Sequence, residues 1–535
     1  MGYSTGKLVF IFSCAVVFAA LGAWIIALRY RAAIRTLMSA PIGAAAAPVA
    51  AAAPVFLSAA LPAALPAAPA PTARTPGAAT GPTLADNRRA GWRLTIFLVL
   101  LSIVIATSSA AMQLVDALGG DGFSLKRLGL WAVIATWPVL PALAIVWRWS
   151  RTRLFAAFAL FCAAAFLLML WRSIEPRPLE LVQFLALEIG PPLLLMAFLC
   201  LGSATRAVAP WLLPPAVAMV WASTAGVDLL GFFVERRAPW LGPLASAIGV
   251  ETVFALFALA PWLIAWWPAR ALGRRLARAY ANRTVSELSL QFAAVWTISL
   301  TWVALAAATQ RGALALVMLL PLLWIPLGFA LLRRSNAALS RPPTLLVLRV
   351  FQHDAAVSAL FDRVVERWRL TGNTVLIAGT DLISQTLDAG DVLTFLDGRL
   401  GERFVSSPAD LEARIAELDF APDLEGRFRI NECYCRDSTW RAAFAALVGR
   451  SDVVLMDLRG FQARNEGCRH ELGALARTEH VGRVVVLTDA ATDRASADAA
   501  AAGAPAGRFA WLEIVARGRV DANQLLGRLL APAPA

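Results

Sequence analysis

Two rhythms of apolar residues divide the chain. Up to about residue 341 the apolar positions come in long stretches with few interruptions, near 8–28, 93–115, 128–147, 154–171, 182–203, 208–233, 241–267, 287–309 and 312–332. A helix rising about 1.5 Å per residue needs about 20 such residues to cross a hydrocarbon layer of roughly 30 Å, so the nine stretches predict nine transmembrane helices. The stretch at 41–82 is also apolar, but Pro41, Pro48, Pro54, Pro62, Pro66, Pro69, Pro71, Pro76 and Pro82 interrupt it. It predicts a semi-extended, disordered linker.

From Thr344 the rhythm shortens. Leu345 to Val350 has the length and residue types of a buried strand, and 355–370 carries apolar residues at helical spacing (Val357, Leu360, Phe361, Val364, Val365, Trp368). Gly372 ends that helix, and Thr374 to Ala378 reads as a second strand. Further strands are expected at 427–433, 452–458, 483–487 and 509–515, and helices at 438–449, 465–478 and 521–530; from Asp381 to Asp423 helix and loop are expected. Strands alternating with helices predict an α/β domain on a mostly parallel sheet, with its ligand site at the carboxyl ends of the strands. The chain thus reads as a first transmembrane helix with a basic flank (1–37), a linker rich in Ala and Pro (38–90), a polytopic helical domain of about eight spans (91–334) and the α/β domain (342–535).

Charge fixes the expected orientation. Arg29, Arg31 and Arg35, then Arg88, Arg89 and Arg93, then Arg148, Arg151 and Arg153, then Arg206, then Arg270 to Arg283, and finally Arg333, Arg334 and Arg341 fall in alternate loops. The intervening loops carry far fewer basic residues. The positive-inside rule then predicts the N-terminus outside and the α/β domain in the cytoplasm, in a plasma or inner membrane. A cleaved signal peptide is the alternative for the first segment, but Arg29 to Arg35 follow it where a small-residue cleavage site would be needed.

Composition agrees: 59% hydrophobic against 16% charged residues is far from a soluble globular protein. The net charge of +13 divides into 27 Lys+Arg against 10 Asp+Glu before residue 342 and 22 against 26 after it. The excess belongs to the ends of the spans, and the α/β domain has no basic run to follow a phosphate backbone, so no nucleic-acid partner is expected. Only two of the 49 basic residues are Lys, which with the abundant Ala points to a GC-rich bacterial genome.

Candidate chemistry lies in two places. Glu188, Asp228 and Glu251 fall within the predicted fifth, sixth and seventh spans, where an ionised carboxylate costs at least about 2.5 kcal/mol. They predict either an acidic pocket or ion path, as in a transporter or channel, or Asp228 and Glu251 pairing with Arg236 and Arg237 or reaching the interface while Glu188 stays protonated beside Gly190, Pro191 and Pro192. In the α/β domain no phosphate-binding glycine motif follows the first strand. His353, His470 and His480 are too few and scattered for a metal site, and Cys433 and Cys435, two apart on one strand, could meet a soft metal on one face. No metal site is expected, and the six Cys should be reduced thiols.

The segment Ser451, Asp452, Val453 to Leu458, Arg459, Gly460, Phe461, with Cys468, Arg469, His470, Glu471 and Leu472 beyond it, resembles the Toll/interleukin-1 receptor (TIR) superfamily. There an apolar strand ends in a small-residue and aromatic turn, and the next helix opens on a Trp-Cys-x-x-Glu-Leu pattern; Gly467 stands here in place of the Trp. Asp354 after the first strand and Asp381 after the second match the acidic turn and loop of that family. The resemblance spans roughly 344–490 and implies a flavodoxin-like fold, assembly with copies of itself or with other TIR-like domains, and a signalling or defence role. Enzymatic members cleave nicotinamide from NAD, so the resemblance also implies NAD as substrate, Glu471 as the catalytic carboxylate, and Asp354, Asp381 and Arg459 at the nucleotide. The residues alone allow a second reading, with Glu471 an exposed helix carboxylate offset by Arg469 and Arg477 and Arg459 on a solvated face.

Overall fold

The computed structural model describes residues 5–39, 81–118, 123–172, 177–200, 209–336, 342–349, 360–378, 394–395, 398, 400–435, 439–514 and 521–531. Residues 40–80 of the expected 38–90 linker, with Asp354 and Asp381, lie outside them, and its last residues are not linker but the first two turns of a helix that begins at Leu84. The apolar stretches fold as helices: α1 Thr5–Ser39, α2 Leu84–Leu118, α3 Leu125–Ala135, α4 Val139–Val146, α5 Arg151–Arg172, α6 Pro178–Cys200, α7 Ala209–Glu235, α8 Leu241–Ile248, α9 Val250–Ala281, α10 Glu287–Arg311 and α11 Trp324–Ser335. By length and composition seven segments among the described residues can cross a membrane, namely Ser13–Leu37, Leu84–Val115, Leu125–Val146, Thr152–Arg172, Pro210–Glu235, Val250–Ala281 and Leu314–Ser335. The other two predicted spans are the 23-residue α6 and the 25-residue α10, which pack against each other within the bundle. Large apolar side chains such as Leu160 (73% exposed) and Ile264 (78%) face outward, as a lipid environment requires. This is a multi-pass membrane protein.

Three predicted spans are not continuous helices. Pro138 interrupts 128–147 in the turn between α3 and α4. The stretch predicted at 241–267 breaks at Gly249, whose φ of 87° glycine alone adopts freely, and restarts as α9. α9 then runs past Pro261 and Pro268 to Ala281, because Ala265, Ala269, Gly273 and Ala277 at four-residue spacing give it a buried stripe. The last span opens as a 3₁₀ stretch, Gly312–Leu323, before α11.

The second half holds a seven-stranded, wholly parallel sheet: β1 Thr344–Arg349, β2 Asn373–Ala378, β3 Phe404–Val405, β4 Ile430–Cys435, β5 Val453–Asp457, β6 Arg483–Thr488 and β7 Phe509–Glu513, in the order 3-4-2-1-5-6-7. Register is set by the apolar runs, with Leu345 opposite Val453 and Val375 opposite Asn431. The order in which strands are added reverses at β1, which lies between β2 and β5. Its helices are α12, a π-helical turn Phe361–Val365 continuing through Glu366–Trp368, then α13 Pro408–Ala416, α14 Trp440–Val448, α15 Glu466–Arg477, α16 Arg494–Ala500 and α17 Ala522–Leu529. β4 begins three residues later than expected, and β3 and α16 were not foreseen.

Alternate residues of each strand feed two cores. Leu346, Leu348, Val375, Cys433, Val454, Met456 and Val486 pack beneath α14 and α15. Leu345, Val347, Leu376, Tyr434, Leu455 and Val485 face α12 and α17, and this core continues without a break into Tyr30 and Ile34 of α1 and Tyr280 of α9. The sheet is therefore roofed on one side by its own helices and on the other partly by the ends of the spans.

Candidate functional site

At the carboxyl end of the sheet, β5 ends in Asp457, and Arg459 turns back on it, its Nε donating to Asp457 Oδ1 at 2.8 Å. Gly460, at φ 71°, directs its N–H to Asp489 Oδ1 at 3.0 Å. Arg459 is thus committed to a buried carboxylate, and its side chain is only 8% exposed. The solvated-face reading of Arg459 does not hold.

Glu471 lies in the second turn of α15 and is 7% exposed. It sits on the helix face that carries Cys468, Leu472 and Leu475 into the core. Its Oε2 is buried with no hydrogen-bond partner among the described residues. Desolvation pushes its carboxyl up to about 8, and burial together with the nearby Glu471 charge pushes the Cys468 thiol up to about 12. The reading of Glu471 as an exposed carboxylate offset by Arg469 and Arg477 is overturned. The signal was in the sequence: position 471 falls three residues after Cys468 and four before Leu475, inside the apolar stripe.

The remaining candidates are spread. Asp354 and Asp381 lie outside the described residues. Glu188 and Asp228 are half-buried on α6 and α7, whereas Glu251 is exposed in the first turn of α9, where the helix dipole favours a carboxylate. Arg236 lies over the Phe232 ring at 4.3 Å. Cys433 and Cys435 bring their sulfurs to 3.7 Å within the core beneath α14. No group of three or more His, Cys, Asp or Glu suited to a metal occurs among the described residues.

Among the described residues, the densest charged constellation is one the sequence did not indicate, at the seam between the spans and the α/β domain. Glu366 of α12 receives Arg148 Nη2 from the α4–α5 turn at 2.9 Å, Arg369 Nη1 at 3.2 Å, and Arg427 Nη2. Burial opposes its ionised form, yet Arg369, Arg148 and Arg427 together hold the Glu366 carboxyl well below the usual range. Beside it Glu425 is buried, which with Asp423 close by pushes its carboxyl up to about 7 against the pull of Arg427 and a hydrogen bond to Ser286, just before α10. The same edge continues with Arg283, from the α9–α10 turn, on Asp419 and with Arg429, which donates to Tyr280 O at 2.9 Å and stacks on the Tyr280 ring at 3.9 Å.

Polar contacts extend the seam. Asn87 of α2 donates to Arg367 O at 2.7 Å, Asn336 after α11 donates to Leu424 O at 3.1 Å, and the hydroxyls of Tyr30 and Tyr434 meet at 2.9 Å, with Tyr434 donating to Glu432 Oε2 at 2.7 Å. Two of the gripping residues, Arg148 (φ 49°) and Arg283 (φ 52°), hold the left-handed backbone conformation. A non-glycine residue there costs about 1–2 kcal/mol, a strain sustained only where contacts over-determine the position. The pairs Arg148–Glu366 and Arg283–Asp419 supply such contacts.

Compared with protein-family models, with curated proteins and with solved structures, the chain matches none.

Proposed function

We propose that this protein is a membrane signalling module, in which the state of the spans is passed to a cytoplasmic α/β domain through the charged seam. The observation that carries the reading is the Glu366 site, where one buried carboxylate is held jointly by an arginine of the spans and two of the α/β domain. A freely tethered domain would need no such site. The loops that touch the domain, around Tyr30, Asn87, Arg148, Arg283 and Asn336, belong to the arginine-rich set, which favours placing it in the cytoplasm.

Strands 2-1-5-6-7 follow a flavodoxin-like order, with β4 and β3 added beyond β2, which supports the reading of the domain as TIR-like. Such a domain would act by assembling with copies of itself. The test uses the full chain in lipid nanodiscs and in vesicles dense enough to cluster it, following self-association of the α/β domain by crosslinking. Clustering-dependent association that Arg148→Gln weakens supports the reading, and association indifferent to Arg148 removes the seam from signalling.

A second reading is favoured by the buried, unpartnered Oε2 of Glu471: the clustered domain hydrolyses NAD, with Glu471 ionised on substrate entry to stabilise the oxocarbenium charge. NAD loss by clustered full-length protein that Glu471→Ala abolishes is the expected result. No loss from folded, clustered protein rejects it.

A further inference from the structure

A cavity of about 650 Å³ opens beside the Glu366 site, between the start of α2, the α4–α5 turn, α12 and the start of α17. Its described lining carries five arginines, Arg88, Arg148, Arg153, Arg363 and Arg367, against one carboxylate, Glu366. That carboxylate is already shared among Arg148, Arg369 and Arg427. Arg367 bonds Asn523 Oδ1 at 2.9 Å and has Asp521 nearby, and Arg153 lies over the Trp149 ring at 4.5 Å. The side chains of Arg88 and Arg363 make no hydrogen bond or ion pair among the described residues. Burial and repulsion from Arg88 both disfavour the charge on Arg367. Like charges held together across a concave surface lower the energy of an anion placed between them.

The position of the cavity narrows the kind of anion. It lies where α2 and the α4–α5 turn leave the apolar layer, and Trp92, 67% exposed, lines it one helical turn beyond Arg88. Tryptophan at a span end marks the headgroup level, and basic pockets between helices there suit lipid phosphates. Guanidinium groups match phosphate oxygens with paired hydrogen bonds. The volume is within the range of small-ligand sites.

We propose that this cavity binds a phosphate group, carried by an anionic lipid headgroup or by a soluble phosphate ester. Binding is measurable whether or not the α/β domain signals, so the proposal stands apart from the reading above. An anion there would sit against Arg148 and so beside the bond that joins the spans to α12.

The test reconstitutes the full chain in phosphatidylcholine nanodiscs with and without phosphatidylglycerol, counts retained lipids by native mass spectrometry, and follows the thermal midpoint on adding inorganic phosphate. The wild type should retain phosphatidylglycerol about tenfold over phosphatidylcholine, and Arg88→Gln with Arg363→Gln should bring the two near parity. Both side chains are exposed, so the double variant keeps its fold. Lys126→Gln, at the far end of α3, should change nothing. A phosphate-dependent rise in midpoint that the double variant loses, without lipid preference, assigns the soluble source. Equal lipid retention with no response to phosphate, or a preference that survives the double variant or falls equally with Lys126→Gln, overturns the proposal.

Discussion

Two buried glutamates show how surroundings decide what a carboxylate does. Glu471 has a folded value of about 8 against an ordinary 4.5, because nothing offsets its desolvation. Its protonated form is the one folding favours, so its contribution to stability is intact below pH 4.5, declines as pH rises towards 8, and is lost above that. Glu471→Gln removes this dependence, and α15 amides in the variant should exchange more slowly than in wild type at pH 8, by about 2 kcal/mol or more, with the difference vanishing near pH 4. Equal exchange at both pH values would show that Glu471 is solvated. Glu366 is the opposite case: its folded value is depressed, so its stabilisation is present above the ordinary carboxylate value and is lost only in strong acid. Glu366→Gln leaves Arg148, Arg369 and Arg427 gathered around a neutral group, and breaking a buried charge site in this way costs about 3–5 kcal/mol. The expected outcome is a lower thermal midpoint at neutral pH, which Glu366→Asp restores in part.

Most elements were legible because their periodicity is local. β1, β2, β5 and β6 are runs of Leu, Ile and Val, and α15 and α17 carry stripes at helical spacing, so each lies within a residue or two of its expected place. β3 escaped because two residues, Phe404–Val405, are too few to alternate, and α16 because Arg-Ala-Ser-Ala-Asp-Ala-Ala offers no apolar stripe. The seam escaped for a different reason: Arg148 and Glu366 stand 218 residues apart, and no window along the chain contains both. Packing between spans follows the same division. Gly226 of α7 reads as an unremarkable small residue, yet a Cβ there would fall 1.9 Å from Phe257 O of α9, where Ser223 Oγ also donates to Ala258 O at 2.8 Å. Gly226→Ala must push α7 and α9 apart and should lower the thermal midpoint in detergent, whereas Gly231→Ala, with open space around its Cβ, should be neutral or raise it by the helix preference of Ala over Gly, about 1 kcal/mol at most. Equal effects of the two substitutions would mean that α7 and α9 do not meet at Gly226.

For the molecule as a whole, the question is whether spans and α/β domain form one cooperative body or two joined by a string. Interfaces between domains of one chain permit relative motion by default, unless they are large and apolar. Here an apolar core crosses the seam from Leu345 and Tyr434 to Tyr30 and Tyr280, and ion pairs flank it at Arg148–Glu366 and Arg283–Asp419. Arg283 and Asp419 provide the cleaner probe, because each is only about a quarter exposed and they lie on opposite sides of the seam, 136 residues apart. Asp419 also receives Arg429 at 3.6 Å and the Ala421 N–H at 3.1 Å, so Asp419→Ala alone costs more than the pair itself. A double-mutant cycle with Arg283→Ala separates the two contributions. If the domain is docked in the membrane-embedded protein, the effects on amide exchange in β4 should be non-additive by about 0.5–3 kcal/mol, the coupling typical of residues in contact. Additive effects would mean that the seam opens too often for Arg283 to hold the domain. Coupling would make any rearrangement of the α9–α10 turn an event felt at β4, one strand removed, across β2, from the strand around which the sheet order reverses.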